Sequence, residues 1–241
     1  MLKTFVSDLH LSPRRPETAD LFVDFLAGAA RGAAELYILG DLFDYWIGDD
    51  NLVDPFNRRV ADALAGLSHA GVRIHLMAGN RDFLVGTDFA AAAGLSLLAE
   101  PAVIDIGGVP TLLLHGDTLC TDDAEYQKFR LHVRSAAWRD EFLSMPLDER
   151  RRKMEGLREQ SEQAKQDKDY GLMDANAGAV ADAFRRHGVL RMIHGHTHRQ
   201  ARHDLAIDGK PCQRWVLGQW GDRGNALACD GDDWRWLAIP G

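Results

Sequence analysis

Short apolar runs alternate with helix-length amphipathic stretches through the first part of this chain, and that alternation most constrains its fold. Runs at 2–6, 35–39 and 73–78 read as strands, and patterns at 18–33, 57–70 and 87–93 read as helices. Thr18 is the expected cap of the first helix, and Gly71 and Gly94 are the expected stops of the other two. Such repetition favours parallel strands joined by crossover helices. The pattern then changes. A hairpin is expected across 102–106 and 110–114 around Gly107-Gly108, and residues from about 123 to 168 are strongly helical and rich in Arg, Gln, Glu and Lys. Another helix at 175–187 follows, then strands at 190–193, 202–207, 213–217, 226–229 and 234–239 with Asp208-Gly209 as a turn. The expectation is one α/β (α+β) domain over 1–241 with a helical cap insertion at about 123–170.

Five of the apolar runs end in residues able to bind metal: Asp8-Leu9-His10, Gly40-Asp41, Gly79-Asn80-Arg81-Asp82, His115-Gly116-Asp117 and Gly195-His196-Thr197-His198. In open α/β sheets, ligands collect at the carboxyl ends of strands. Asp8 and His10, two apart, would face one side of an extended chain, and His196 and His198 repeat the spacing. Taken singly, each piece is an ordinary turn or cap; together they specify two metals. Asp8, His10, Asp41, Asn80, His115, His196 and His198 offer nitrogen and oxygen without thiolate, which suits Mn, Fe or Zn. Asp41, the lone carboxylate of Gly40-Asp41, is the natural bridge. Two close metals can polarise a phosphoryl oxygen and lower the pKa of a shared water, so no side-chain nucleophile is required. His69, His75, His132, His187 and His203 read as surface or structural residues, and His194 as directed away from the site.

Composition removes other classes. The net charge of −8 disfavours generic nucleic-acid binding, which needs a basic face. Three cysteines without CxxC spacing argue against a disulfide framework and fit a reducing compartment. The N-terminus carries no basic-then-apolar leader, and no apolar run is long enough to span a bilayer.

The five motifs resemble those of the calcineurin-like metallophosphoesterases along the whole chain. The resemblance implies a two-layer β-sandwich flanked by helices, with Asp8, His10, Asp41 and His198 on one metal and Asp41, Asn80, His115 and His196 on the other. Longer stretches, Gly40-Asp-Leu-Phe-Asp-Tyr-Trp-Ile-Gly-Asp-Asp50, Gly79-Asn-Arg-Asp-Phe-Leu-Val-Gly86, His115-Gly-Asp-Thr-Leu-Cys-Thr-Asp-Asp123 and Ile193-His-Gly-His-Thr-His-Arg199, are similar to the lipid A branch of that family. That branch implies hydrolysis of UDP-2,3-diacylglucosamine to UMP and 2,3-diacylglucosamine 1-phosphate with two Mn²⁺ ions. It also implies work at the cytoplasmic face of the inner membrane as a peripheral protein, with no obligate protein partner. Asp41, Asn80, Arg81, His115 and His196 are the implied catalytic residues. Asn80, Arg81, Asp123, Ser161, Lys165, Lys168 and His196 are the implied substrate contacts. Lys165 stands where the resemblance leads one to expect Asn, and Asp44-Tyr45 stands in place of Glu-Ala.

The insertion suits a nucleotide-activated glycolipid. Phe129, Leu131, Val133, Ala137, Trp138, Phe142, Leu143, Met145 and Leu147 interleave with Arg130, Arg134, Arg139 and Arg150-Arg151-Arg152-Lys153. Such a segment can receive acyl chains and rest on anionic lipid, or pack onto the sheet with its arginines in solvent. Trp215, Trp220, Trp234 and Trp236 read as strand core, and Asp49-Asp50 as turn and cap residues. Two other functions fit the chain: a soluble nucleotide pyrophosphatase or phosphodiesterase with the same metals, and a non-catalytic scaffold.

Overall fold

The computed structural model describes the backbone of residues 1–166 and 174–241 and the side chains of 1–158 and 174–241. The strands are β1 Lys3–Val6, β2 Glu35–Leu39, β3 Arg73–Met77, β4 Ser96–Leu98, β5 Ala102–Ile106, β6 Val109–Leu113, β7 Arg191–His194, β8 Ala201–Ile207, β9 Lys210–Val216, β10 Gly224–Asp230 and β11 Asp233–Ile239. The helices are α1 Pro16–Ala27, α2 Pro55–His69, α3 Thr87–Ala93, α4 Ala124–Val133, α5 Ala136–Ser144, α6 Leu147–Gln166 and α7 Ala177–His187. One sheet runs β11-β10-β1-β2-β3-β4 and the other β5-β6-β7-β9-β8. Strands β1 to β4 are mutually parallel, as the strand–helix alternation predicts.

The two sheets face each other. Phe5, Tyr37, Leu39, Met77 and Leu227 from the first pack with Ile106, Leu113, Ile193 and Trp215 from the second. Strand alternation sorts β2: Tyr37 and Leu39 enter this inner core, while Leu36 and Ile38 pack against the helices outside. Helix α7 covers the other outer face through Val180 and Phe184. This is the expected β-sandwich flanked by helices. The hairpin turn also follows expectation, because Gly107 (φ 64°) and Gly108 (φ 84°) both adopt the left-handed backbone that a tight type I′ turn requires.

Two local expectations are corrected. Helix α1 begins at Pro16, whose fixed φ suits the first helical position, so Thr18 lies buried inside the helix and is not its cap. The helix also stops at Ala27, and a separate 3₁₀ turn, Ala29–Gly32, follows. Strand β4 is only three residues long and too short to show a period in the sequence.

A buried carboxylate pins the strand starts farthest from the motif-bearing ends. Glu35 accepts from Lys3 Nζ at 2.5 Å, Tyr37 Oη at 2.6 Å and Arg73 Nη2 at 2.9 Å. Burial alone would raise its pKa; these donors outweigh burial and lower it from 4.5 to about 2. A depressed carboxylate stabilises the fold above its unfolded pKa, and that contribution fades as pH falls from 4.5 through about 2. Glu35→Gln should therefore cost about 1–3 kcal/mol at pH 7. The gap to the parent in urea unfolding should narrow from pH 5 downward; a gap independent of pH would contradict this.

Candidate metal centre

All five motifs lie at the carboxyl ends of strands: Asp8 and His10 after β1, Asp41 after β2, Asn80 after β3, His115 after β6, and His196 and His198 after β7. Backbone hydrogen bonds lock these ends together. Asp8 N–H donates to Gly40 O at 3.1 Å, His10 N–H to Asp41 O at 2.9 Å, and Gly195 N–H to His115 O at 2.8 Å. The last of these joins the ends of β6 and β7.

The ligand pairs do not converge by strand pleat. Asp8, His10, Asp41, His196 and His198 have φ of 56°, 50°, 53°, 66° and 60°. The extended chain assumed for Asp8–His10 and His196–His198 is therefore corrected. Each of these residues sits in the left-handed region, where a side chain meets the backbone unfavourably, so the turns themselves aim the side chains. Glycine is required beside them. A Cβ on Gly79 would collide with Asp41 Oδ1, and one on Gly40, itself at φ 90°, with His115 Nδ1.

Among the described residues, two groups of side chains bring potential ligand atoms within 4.8 Å of one another: Asp8, His10 and His198, and Asp8, Asp41 and His115. Asp41 also spans the two halves, with Oδ2 3.8 Å from His10 Nδ1 and Oδ1 3.7 Å from His115 Nε2. Asn80 Oδ1 lies 2.9 Å from His115 Nε2 and 2.8 Å from His196 Nδ1. All seven sequence-selected residues thus meet in one place.

The residues fit divalent ions on three counts. Asp8 Oδ1 and His10 Nδ1 are buried without a hydrogen bond, an arrangement that costs free energy unless something else satisfies them. His10 Nε2 and His198 Nε2 lie 3.3 Å apart, close enough for one nitrogen from each ring to meet a common cation. The donor set is imidazole, carboxylate and carboxamide, with no thiolate.

The electrostatics are those of crowded charge. Burial pushes the Asp41 carboxyl up to about 6, with Asp82 and Asp8 adding to the rise and His115 opposing it. Burial would lower His115, but Asp41 and Asp8 outweigh it and raise the imidazole to about 9. Burial holds His10 well below the ordinary range. For Asp8, burial favours the neutral acid, yet His198, with Nε2 3.3 Å from Oδ1, and the imidazoles of His115 and His10 keep the carboxyl below its usual range.

Several supporting residues have partners that no local sequence pattern gives. Asp82 is fully buried and accepts from the N–H groups of Gly79 at 2.7 Å, Leu42 at 2.8 Å and Asp41 at 3.3 Å. It fixes the Asp41 and Asn80 loops to each other. Asp49 accepts from Gly86, Asp88 and Phe89 N–H, so the expected cap residue caps α3 from a distant loop. Tyr126 on α4 stacks near His196, with ring centroids 6.0 Å apart, and donates to Asp117 at 2.7 Å.

Arg81 N–H donates to Asp41 Oδ1 at 2.8 Å, and its Nη1 to Asp44 Oδ1 at 3.0 Å. Asp123 caps α4 through Tyr126 N–H at 3.1 Å. The side chains of Ser161 and Lys165, and Lys168 as a whole, lie outside the described residues. His194 is buried, with Nδ1 2.9 Å from its neighbour's carbonyl, Gly195 O, and belongs to neither ligand group. Burial lowers its pKa to about 4. His75 stacks on Tyr37, with its Nε2 3.3 Å from Glu35, as a structural residue.

The helical segment α4–α6 divides its apolar side chains. Val133, Trp138 and Phe142 are buried, while Phe129, Leu131 and Leu143 are exposed. Its arginines are not one solvated face: Arg150 is buried and donates to Ile47 O and the Asp50 carboxylate. Arg134 Nη2 reaches Gly79 O at 2.8 Å. A cavity of about 510 Å³ opens among Phe129, Val133, Trp138, Lys153 and Leu157.

Comparison with known proteins agrees with this geometry. The calcineurin-like phosphoesterase family matches residues 1–200. A UDP-2,3-diacylglucosamine hydrolase of Aromatoleum aromaticum is 50% identical over 96% of this chain and 94% of its own. One of Stenotrophomonas maltophilia is 48% identical over 97% of both chains. Among solved structures, a dimetal phosphatase from Danio rerio aligns with TM-score 0.50 and 16% identity over 100% of this chain and 98% of its own, a likeness of fold. With its five strand-end motifs, its sandwich and these relatives, the chain belongs to the calcineurin-like phosphoesterases and, within them, to the family of the UDP-2,3-diacylglucosamine hydrolases.

Proposed function

We propose that this protein hydrolyses the pyrophosphate bond of UDP-2,3-diacylglucosamine, giving UMP and 2,3-diacylglucosamine 1-phosphate for lipid A biosynthesis. The observation that carries the reading is the meeting of seven potential nitrogen and oxygen ligand residues at the strand ends, beside a helical segment with a cavity lined by apolar and polar side chains. The names of the relatives point to the same substrate.

The donor set would hold two Mn²⁺ ions, one by Asp8, His10, Asp41 and His198 and one by Asp41, Asn80, His115 and His196. When bound, such ions supply Lewis acidity at a phosphoryl oxygen and a lowered pKa for the attacking water. The chain's own residues do the rest. Asp41 stands between the two ligand halves. Asn80 and His196 bring polar groups to the phosphate as well as to the ions. Arg81 presents a planar cation suited to a phosphoryl oxygen and to charge that grows as the bond breaks. The departing group is a sugar phosphate, a good leaving group, so no strong general acid is required. Asp123 is a further substrate contact in this reading, and Ser161, Lys165 and Lys168 are the contacts to the glucosamine phosphate.

The cavity between α4, α5 and α6 is a place for acyl chain. The exposed Phe129, Leu131 and Leu143, with Arg139, Arg152 and Lys153 also exposed, support peripheral contact with an anionic bilayer. No described helix is long and apolar enough to cross a membrane.

Substrate class is tested by comparing detergent-dispersed UDP-2,3-diacylglucosamine with its deacylated analogue. A preference of at least about tenfold in kcat/KM is expected from burying the acyl chains; equal turnover would sink the lipid reading. In ¹⁸O-water, label should enter UMP, and label in the sugar phosphate would refute attack at the phosphorus nearest uridine. Arg81→Ala should lower kcat/KM by about 10²–10³-fold while retaining bound Mn²⁺. Loss of the metal in that variant would contradict a phosphate-directed role.

A further inference from the structure

We propose that Asp44 is a positioning residue that holds the phosphate-directed cation Arg81 and ties it to helix α6. Asp44 lies three residues beyond Asp41 and is 5% exposed. Its two carboxylate oxygens are divided between two arginines from different parts of the chain. Oδ1 accepts from Arg81 Nη1 at 3.0 Å, and Oδ2 pairs with Arg158 Nη1 at 2.8 Å. Arg158 comes from α6, so one buried carboxylate joins the metal-bearing loop to the helical segment that carries the cavity.

The carboxylate is itself held firmly. Asp44 N–H donates to Leu11 O at 3.0 Å, and Leu11 and Phe43 form a parallel bridge between the ends of β1 and β2. Arg81 is therefore held by Asp44 through Nη1, with Nε 3.9 Å from Asp41 Oδ2, while its side chain remains 18% exposed. A long flexible cation held this way loses little further freedom when a phosphate arrives, and its geometry is set beforehand. Without Asp44, the Arg81 and Arg158 guanidinium groups would face each other with no carboxylate between them, and Arg81 Nη1 would lose the acceptor that holds it.

The proposal rests on the reading of Arg81 as a phosphate contact, and two measurements keep the ideas separable. The first is side-chain ¹⁵N NMR of the Mn²⁺-free protein, reading the Arg81 Nη–H groups, with the signals assigned by Arg81→Lys. The parent should show a slowly exchanging Arg81 signal, and Asp44→Asn should bring its exchange close to that of free arginine. An Arg81 that exchanges like free arginine in the parent overturns the proposal whatever the variant does, and so does unchanged protection in Asp44→Asn.

The second is turnover of UDP-2,3-diacylglucosamine with Mn²⁺. Asp44→Asn should lose about 10–100-fold in kcat/KM with metal content retained. Asp44→Asn combined with Arg81→Ala should be no slower than Arg81→Ala alone, because both remove the same placed cation. Fully additive losses overturn the proposal. Failure of the parent to hydrolyse the glycolipid would instead sink the substrate reading, and the NMR result would still decide the role of Asp44.

Discussion

Asp41→Ala is expected to lose at least about 10³-fold in kcat, roughly 4 kcal/mol of barrier, together with its bound metal. Asp41 lies between the two halves of the ligand cluster, with one oxygen facing His10 and the other His115. The same residue is poorly placed for the stability of the metal-free fold. Burial and two neighbouring carboxylates push its pKa to about 6, above the unfolded value of 3.8, so its ionised form weakens the native state at neutral pH. Removing it relieves that repulsion but orphans the Arg81 N–H it now accepts. Metal-free Asp41→Ala should therefore melt within a few degrees of the metal-free parent. Mn²⁺ should raise the melting temperature of the parent and leave that of the variant almost unmoved, because only a competent site links binding to folding. A variant still stabilised by Mn²⁺ as strongly as the parent would contradict the assignment.

The second large effect is expected at Asp82, which holds the metal-bearing loops without touching a metal. Asp82→Ala strands the N–H groups of Gly79, Leu42 and Asp41 in the interior with no acceptor. Losing a buried carboxylate that serves several donors should cost about 3–5 kcal/mol. Urea unfolding of the metal-free protein reads that loss directly. Mn²⁺ affinity should also fall, because the Asp41 and Asn80 loops are no longer fixed to each other. Asp82→Asn keeps one acceptor oxygen and should fall between. Unchanged stability in Asp82→Ala would show that these N–H groups find other partners and that the loops are not held as described.

The contrast between these two residues shows what the sequence makes legible. Asp41 is readable because a carboxylate directly after an apolar run and a glycine belongs to a recurrent pattern. Strand-end placement of Asp8, Asn80, His115, His196 and His198 was readable for the same reason. Asp82 belongs to the same motif, yet its acceptor role depends on a loop some forty residues away in the chain, which no local spacing encodes. Asp49 is similar: its character as a cap residue and helix α3 are both legible, but the pairing of the two across some forty residues is not.

The manner in which the ligands converge was misread for a physical reason. A two-residue spacing suggests strand pleat, whereas left-handed turns at Asp8, His10, His196 and His198 aim the side chains instead. Those turns follow from the crowding of strand ends against each other, a tertiary constraint. In the helical segment, composition announced apolar and basic residues but could not sort them. Only packing separates buried Trp138 and Phe142 from exposed Leu131, or reveals Arg150 as a buried anchor.

The most direct measurement is incubation of the purified protein with UDP-2,3-diacylglucosamine, with and without Mn²⁺, following products by mass spectrometry. The account predicts UMP and 2,3-diacylglucosamine 1-phosphate in equal amounts, only when metal is present, with none from Asp41→Ala. Product formation that ignores metal and Asp41, or none by the metal-loaded parent, would contradict it.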